Sequence, residues 1–220
     1  MKNVLFAVLV LACSCGVSLK DKGTTQVELA SQQSVVDYSL IPAKGPADAP
    51  VTVLEFTHFL SSSCAKVRET INQIEHYYGD CVRIEIHHFP LHRSDTMMAA
   101  EATMAAHAQG KFWEMVDKIF DNASTLEFSS YYAQEYLTRF AGEIGLNMDR
   151  YRDDVSSHRF LSLIEADIAR GEELGVTGVP VFFINGEELV GVRPFKKFKE
   201  VINRHLADPS VPLRCRFIFD

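Results

Sequence analysis

The alternation of hydrophobic and polar residues is clearest between positions 51 and 89. Val51 to Phe59 is an apolar, β-branched segment that predicts a buried strand, and segment 42–50 before it, with three prolines and a glycine, predicts a loop. Apolar residues then recur at helical spacing from Ala65 to Ile74, after serines of the kind that cap a helix. Val82 to Phe89 alternates and predicts a second strand. This order predicts two parallel strands joined by a right-handed crossover.

The rest of the chain predicts a long helical region, a hairpin and a last helix. Val181 to Ile184 and Leu189 to Val192 predict the hairpin strands, joined by an Asn-Gly turn, and Pro194 opens a helix to about Leu206. We therefore predict an α/β protein with a thioredoxin-like fold and a helical insertion at about 94–174. The predicted helices of the insertion are Met97 to His107, Phe112 to Phe120, Ser129 to Ile144 and Asp149 to Glu173.

The first residues indicate export. Lys2 precedes an apolar run from Val4 to Ala12, which is too short to span a bilayer but fits a secretory signal. The run continues into Cys13 as Val-Leu-Ala-Cys, which resembles a bacterial lipobox. We expect a signal at 1–12, a lipid on Cys13 and a flexible polar tether at 13–44. Ordinary signal cleavage near residue 15, releasing the protein, is the alternative.

Charge and cysteine content narrow the function. The chain has 22 Lys and Arg residues against 29 Asp and Glu, a net charge of -7 over 220 residues, and its basic residues are scattered. This excludes the clustered basic face of a nucleic-acid-binding protein.

Export would place the cysteines where disulfides persist. Cys64, Cys81 and Cys215 lie in the predicted domain (45–206) and its tail (207–220). Since three is odd, at least one is free or paired outside the domain.

Four segments together resemble the DsbA-like thiol-disulfide oxidoreductases. They are Ala49 to Phe59 running into Cys64 to Val67, Phe89-Pro90-Leu91, Gly110 to Trp113, and Gly175 to Gly186. The resemblance covers about residues 45–206. It implies disulfide formation or thiol-disulfide exchange in exported proteins, without a cofactor or a metal. With the lipobox it implies a periplasmic protein anchored by lipid to a bacterial membrane. The expected partners are exported proteins or extended peptides with cysteines, and a membrane redox partner.

The active-site motif of this family is altered in the chain. Family members carry Cys-x-x-Cys where the helix begins after the first strand, and this chain has Ser61-Ser62-Ser63-Cys64. The helix N-terminus stabilises the thiolate of a leading cysteine. A serine hydroxyl stays protonated near neutral pH and forms no disulfide, so dithiol cycling within the motif is excluded. Cys64 is then either a lone reactive thiol or a buried, inert residue.

The resemblance also assigns Glu55, Val179 and Pro180 to the site. Glu55 matches an acid that handles protons beneath the family's active site, and an acid buried in an apolar strand has a raised pKa. A strand residue near solvent is the alternative. Pro180 matches the family's cis-proline, beside which the Val179 backbone would pair with an extended substrate. A trans proline between a helix and a strand is the alternative here.

Further cysteines and histidines have two interpretations each. Cys81 and Cys215 either remain free or form a disulfide that staples the tail to the domain, and we expect the bond. The histidines near the strand ends lack the spacing of a metal site, and we interpret them as surface residues. They are His58, His87, His88 and His92.

Three functions remain open at this point. The first is thiol-disulfide exchange through Cys64. The second is a redox-silent peptide-binding or chaperone module that uses the groove at Pro180. The third follows from the kappa-type glutathione transferases, which resemble the same fold and place a serine at the position of Ser61 to hydrogen-bond the glutathione thiolate. Their cytoplasmic or organellar setting conflicts with the export signal.

Overall fold

The computed structural model describes residues 40–91, 94–123 and 132–216. The predicted signal, the lipidation site Cys13, the tether up to residue 39, His92 and the apolar end of the tail lie outside these residues. Those assignments therefore stay predictions. Within the described ranges, no helix combines the length and the apolar character that a membrane crossing needs.

The described strands form one five-stranded sheet. In chain order they are β1 (Ala43–Lys44), β2 (Val51–Thr57), β3 (Val82–His88), β4 (Val181–Ile184) and β5 (Glu187–Val190). Their order across the sheet is β1-β3-β2-β4-β5. Strand β2 is central: it pairs in parallel with β3 and antiparallel with β4, and β4 forms a hairpin with β5. The predicted α/β class and the parallel strand pair are confirmed.

Helices cover both faces of the sheet and build the insertion between β3 and β4. In chain order they are α1 (Ser62–Tyr78), α2 (Ser94–His107), α3 (Phe112–Asp121), α4 (Ala133–Glu143), α5 (Met148–Ser156), α6 (Leu161–Glu173), α7 (Phe195–Leu206) and α8 (Leu213–Arg216). Helices α2 to α6 belong to the insertion, and its described residues contain no strand. The helical insertion predicted from periodicity is therefore present.

Three local predictions were wrong. Segment 42–50 was predicted as a loop, but Ala43 and Lys44 form β1 by pairing with β3, a tertiary contact that no local pattern reports. Asp149 to Glu173 was predicted as one helix, but a turn with His158 at φ 52° separates α5 from α6. The last hairpin strand is Glu187–Val190, two residues earlier than predicted, because it pairs directly across the Asn-Gly turn.

The alternation of side chains along β2 divides the core into two sides. Val51 and Val53 belong to a large apolar cluster with α1 and α7. Phe56 points to the opposite face, where it packs with Val176 and Phe183 in a smaller cluster that Ile168 of α6 covers. Since successive strand residues face opposite sides, each functional residue of β2 has its helix neighbour fixed by its position in the strand.

A disulfide joins the C-terminal tail to the end of α1. Cys81, in the 3₁₀ turn after α1, is bonded to Cys215 of α8, and both residues are buried. The bond links positions 134 residues apart, so it removes much of the conformational freedom of the unfolded chain. Cys64 is the remaining cysteine of the described residues and is a free thiol.

We expect the double variant Cys81→Ala/Cys215→Ala to unfold with a free energy about 3–5 kcal/mol lower than that of the natural chain, because a long loop is no longer closed. Urea unfolding followed by circular dichroism measures the difference. Reductant should lower the urea midpoint of the natural chain and leave the double variant unchanged. Equal midpoints for the two proteins under oxidising conditions would contradict the prediction.

Candidate functional site

The site begins where β2 ends and α1 starts. Ser61 is the capping residue of α1, and its Oγ accepts a hydrogen bond from the N–H of Cys64 at 3.3 Å. Such a cap satisfies one of the N–H groups that a helix leaves unpaired, and it typically contributes about 1 kcal/mol. Ser61 is partly exposed, whereas Cys64 is fully buried. A hydroxyl therefore occupies the accessible position and a thiol lies beneath it.

The surroundings of Cys64 oppose its ionisation. Burial raises the pKa of the thiol above its ordinary value of 9.0, and the nearby carboxyl of Glu55 raises it further. The hydroxyls of Thr57 and Ser61 and the backbone of His58 counteract part of this shift. The Thr57 hydroxyl is buried and lies close to the thiol, although it makes no hydrogen bond of standard geometry. The thiol is therefore protonated near neutral pH.

Glu55 is a buried carboxyl that titrates near neutrality. Its side chain lies on the same side of β2 as that of Thr57, it is 4% exposed, and burial raises its pKa to about 7, with the Thr57 hydroxyl acting in the opposite direction. The structure thus favours the prediction of a buried acid over that of a strand residue near solvent. A carboxyl with this pKa exchanges protons readily at physiological pH.

A small cavity adjoins Glu55 between α1 and α3. Its volume is about 70 Å³, and its lining includes apolar Phe59 and Trp113 together with the charged groups of Lys44 and Arg68. A cavity of this size has room for a few water molecules when polar partners are present. Water in it would give the Glu55 carboxyl a route for protons to the surface.

The loop before β4 reaches the same edge of the sheet. The Val179–Pro180 peptide bond is cis. Phe56 pairs with Val181, so continuing the antiparallel register by one residue sets Pro180 opposite Thr57. The Pro180 carbonyl accepts a hydrogen bond from the N–H of Gly191 at 2.8 Å. The structure therefore brings Ser61, Cys64 and Glu55 to the end of β2 beside which this loop lies.

Two histidines of β3 are buried, and their interpretation as surface residues was wrong. His87 is 0% exposed and His88 is 2% exposed, because both contact the carboxylate of Asp167 on α6. The alternation of β2 could have identified Thr57, which shares a face with Glu55. Asp167 carried no sequence signal, since it lies about 80 residues from the histidines. Within the described residues, no three His, Cys, Asp or Glu side chains converge as a metal site requires.

The disulfide lies apart from this site. Cys81 follows the C-terminal end of α1, whereas Cys64 is in its first turn. The 17 residues of this helix correspond to roughly 25 Å. The bond between Cys81 and Cys215 is therefore a structural element and lies too far away to serve as the redox partner of Cys64.

A helix N-terminus above a thiol, a buried acid in the central strand and a cis-proline at the adjoining strand agree with the predicted thioredoxin-like fold. A family model described as thioredoxin matches residues 41–204, so the chain belongs to the thioredoxin family. This confirms the predicted thioredoxin-like fold, and the domain bounds of 45–206 stay a prediction.

Solved structures share the fold at low sequence identity. Alpha-DsbA1 of Wolbachia pipientis is 20% identical with a TM-score of 0.67, covering 74% of this chain and 89% of that protein. BdbD of Bacillus subtilis is 21% identical with a TM-score of 0.67, covering 77% and 95%. A thioredoxin-like oxidoreductase of Silicibacter pomeroyi is 20% identical with a TM-score of 0.65, covering 80% and 97%.

Curated relatives match over a part of their length. The Na(+)/H(+) antiporter NhaA of Herminiimonas arsenicoxydans is 31% identical over 156 residues, which are 71% of this chain and 24% of that protein. NhaA 1 of Mycolicibacterium vanbaalenii is 31% identical over 147 residues, 65% of this chain and 23% of that protein. The chain thus spans about a quarter of the length of these relatives.

We expect Glu55→Gln to stabilise the protein at pH 8 by up to about 3 kcal/mol, because burial raises the pKa of Glu55 from 4.5 to about 7. The raised pKa makes the natural chain lose stability as the pH rises from about 4.5 to about 7. The gain should therefore shrink to zero below pH 4.5. Urea unfolding between pH 4 and pH 8 measures it.

Glu85→Gln is the matched control on the neighbouring strand. His87, 3.8 Å away, and the Arg83 guanidinium at 2.7 Å hold the pKa of Glu85 at about 2. This variant should lose stability at pH 7, and the loss should shrink as the pH falls from about 4.5 toward 2. The same pH profile for both variants would show that Glu55 is not a neutral, buried acid.

Proposed function

We propose that the protein exchanges disulfides in exported proteins through the single thiol of Cys64. The observation that carries this proposal is the pairing of a free thiol at the start of α1 with a buried carboxyl whose pKa is about 7. Each of these groups is destabilised when ionised, and a purely structural core would favour apolar residues in their place. The DsbA-type fold agrees with this function.

The exchange needs no external oxidant. The Glu55 carboxylate accepts the proton of the Cys64 thiol, and the thiolate attacks one sulfur of a substrate disulfide. The substrate S–S bond breaks, a mixed disulfide forms, and the leaving substrate thiolate takes up the proton. A second substrate thiol then loses its proton to Glu55, and its thiolate attacks the substrate sulfur of the mixed disulfide. Cys64 leaves as a thiolate and takes up that proton. The net result is a rearranged substrate disulfide, and electrons and protons balance.

Ser61 limits how the mixed disulfide can be released. Its hydroxyl cannot resolve the mixed disulfide, so release requires a thiol from outside the motif. Its Oγ accepts the hydrogen bond of the Cys64 N–H, and its hydroxyl also lies close enough to the Cys64 sulfur to favour the thiolate. The protein therefore lacks the rapid internal step that ends a dithiol cycle, and it holds the mixed disulfide for longer.

The loop at Val179 and Pro180 is proposed as the surface that receives the substrate backbone. It lies at the same sheet edge as Ser61, and the nearby Val190 and Val192 are about half exposed. Exposed apolar side chains beside irregular backbone suit an extended peptide better than a compact, charged ligand. Substrates would be exported proteins or extended peptides with cysteines, assisted by a membrane redox partner.

The N-terminal sequence supports an exported location with a lipid on Cys13. A buried disulfide supports the same location, because such bonds persist in oxidising compartments and are rare in the cytosol. We therefore propose that the domain works on the outer side of a bacterial membrane, tethered by the residues before β1.

A redox-silent peptide-binding function is the second candidate. It is favoured by the complete burial of Cys64, which keeps the thiol away from a substrate sulfur unless the first turn of α1 opens. In this case the Pro180 loop would bind peptides and Cys64 would be a packing residue.

We expect the natural protein to form a one-to-one mixed disulfide when it is incubated with an excess of a symmetrical peptide disulfide, and Cys64→Ala to form none. Intact mass and peptide mapping identify the adduct. Ser61→Cys should exchange at least about tenfold faster, since a thiol at the helix N-terminus has a much lower pKa, and should release the peptide instead of retaining it.

Three outcomes separate the candidates. No adduct on the natural chain, with peptide binding that Cys64→Ala leaves unchanged, supports the redox-silent module and refutes exchange. Glutathione binding that Ser61→Ala abolishes supports the glutathione-binding alternative. An inactive Ser61→Cys variant that is fully folded shows that the scaffold itself does not support exchange.

A further inference from the structure

The carboxylate of Asp167 joins α6 to the end of β3. Its Oδ1 lies 2.6 Å from Nδ1 of His87, and its Oδ2 accepts the backbone N–H of His88 at 2.9 Å. The same Oδ2 lies 3.2 Å from Nδ1 of His88. Both oxygens of one partly buried acid are therefore used on two successive residues of a single strand. We call these three residues the His-Asp-His clamp.

The clamp reaches into the insertion and toward the proposed active site. Nε2 of His88 lies 3.1 Å from the hydroxyl of Thr103 on α2, so three elements meet at one ring. His88 pairs in register with Thr57, whose hydroxyl adjoins Cys64 and Glu55. The clamp therefore lies on the strand next to β2, whose Thr57 adjoins the proposed reacting thiol. None of its atoms takes part in the reaction.

Helix α6 leads directly into the loop proposed to bind substrate. It ends at Glu173, and Pro180 follows seven residues later. One turn after Asp167, a Cβ on Gly171 would lie 2.7 Å from the ring of Phe89, so α6 packs against β3 as closely as a glycine permits. The position of α6 on the sheet therefore determines where the loop begins, and β4 fixes where it ends.

Charge strengthens the clamp in a definite pH range. Burial alone would raise the pKa of Asp167 and lower that of His87, but their mutual contact outweighs it, so that of Asp167 falls to about 2 and that of His87 rises. Glu85 adds to the shift of His87 and Arg170 opposes it, while His107 faces His88. The stabilisation is complete between the ordinary aspartate pKa of 3.8 and the ordinary histidine pKa of 6.5. It is lost as the pH falls toward the pKa of Asp167 at about 2 and as the pH rises through the raised pKa of His87.

We propose that Asp167 is a positioning residue that holds loop 175–180 beside the thiol of Cys64 by anchoring α6 to β3. This inference rests on the proposed function, because that function gives the loop a substrate to bind. The clamp touches neither substrate nor thiol, and it acts through the helix that carries the loop. Reaction with a large substrate that binds the loop depends on the clamp. Reaction with a small disulfide that contacts only Cys64 does not.

The test compares two disulfides on Asp167→Asn, which keeps the shape of the side chain and removes its charge. One is the symmetrical peptide disulfide, and the other is bis(2-hydroxyethyl) disulfide. We expect the half-saturating peptide concentration to rise about tenfold, as the loss of charge-assisted hydrogen bonds implies, while the rate with the small disulfide stays within about twofold. Glu165→Gln, an exposed charge removal on the same helix, should change neither.

The pH profile supplies a readout that a merely structural role would not move. Ionisation of Cys64 affects both disulfides equally and cancels in the ratio of their rates. In the natural chain the ratio of the peptide rate to the small-disulfide rate should fall as the pH rises through the raised pKa of His87. In Asp167→Asn it should be independent of pH. Equal losses with both disulfides, or an unchanged peptide concentration dependence, would overturn the positioning role.

Hydrogen exchange separates this inference from the proposed function. The amides of 175–179 should exchange about tenfold faster in Asp167→Asn than in the natural chain, while those of β5 stay unchanged. If the natural chain reacts with neither disulfide, the proposed function fails and this exchange measurement alone decides the role of Asp167. Unchanged protection of the loop would then refute it.

Discussion

Glu55 and Cys64 share one buried space, and a negative charge on either of them raises the cost of a charge on the other. Burial therefore disfavours the doubly charged pair, and near pH 7 a protonated thiol lies beside a carboxyl that is about half ionised. Any reaction at the thiol must begin by moving its proton to the carboxyl or out of the site. The pKa of about 7 on Glu55 makes this transfer accessible at moderate free-energy cost, although it destabilises the fold at higher pH.

Serine at position 61 changes the balance between stability and reactivity at the helix N-terminus. As a cap it supplies an oxygen acceptor for the Cys64 N–H, which a thiol does less well. The same hydroxyl stays protonated and cannot form a bond to a substrate sulfur. The N-terminus of α1 is therefore well satisfied in the resting protein, and the positive end of the helix is left with a neutral group. The anion that this position favours has to come from a substrate or from Cys64 in an opened first turn.

Local pattern predicted the parts of this structure that depend on neighbouring residues. A few neighbouring residues were enough to predict β2 from its β-branched residues, α1 from its apolar spacing and the hairpin from its Asn-Gly turn. The helical insertion was predicted from its periodicity. The parts that pattern missed depend on distant partners. Strand β1 exists because Ala43 pairs with Glu85, and His87 and His88 are buried because the carboxylate of Asp167, about 80 residues away, contacts both of them. Two successive histidines at a strand end look solvent-exposed until the partner that contacts them is known.

The two kinds of cysteine in the domain follow from one requirement. In an oxidising compartment a pair of thiols that can meet becomes a disulfide, as Cys81 and Cys215 have done, and an accessible lone thiol reacts with whatever disulfide it encounters. Cys64 avoids this reaction because it is buried and protonated, but the same burial would also exclude its substrates. For the proposed exchange the first turn of α1 would have to open, and the loop at Pro180 is the element beside the thiol that a bound peptide would contact. Because α6 leads into that loop, the His-Asp-His clamp would make the substrate selectivity of Cys64 depend on how α6 packs against the sheet.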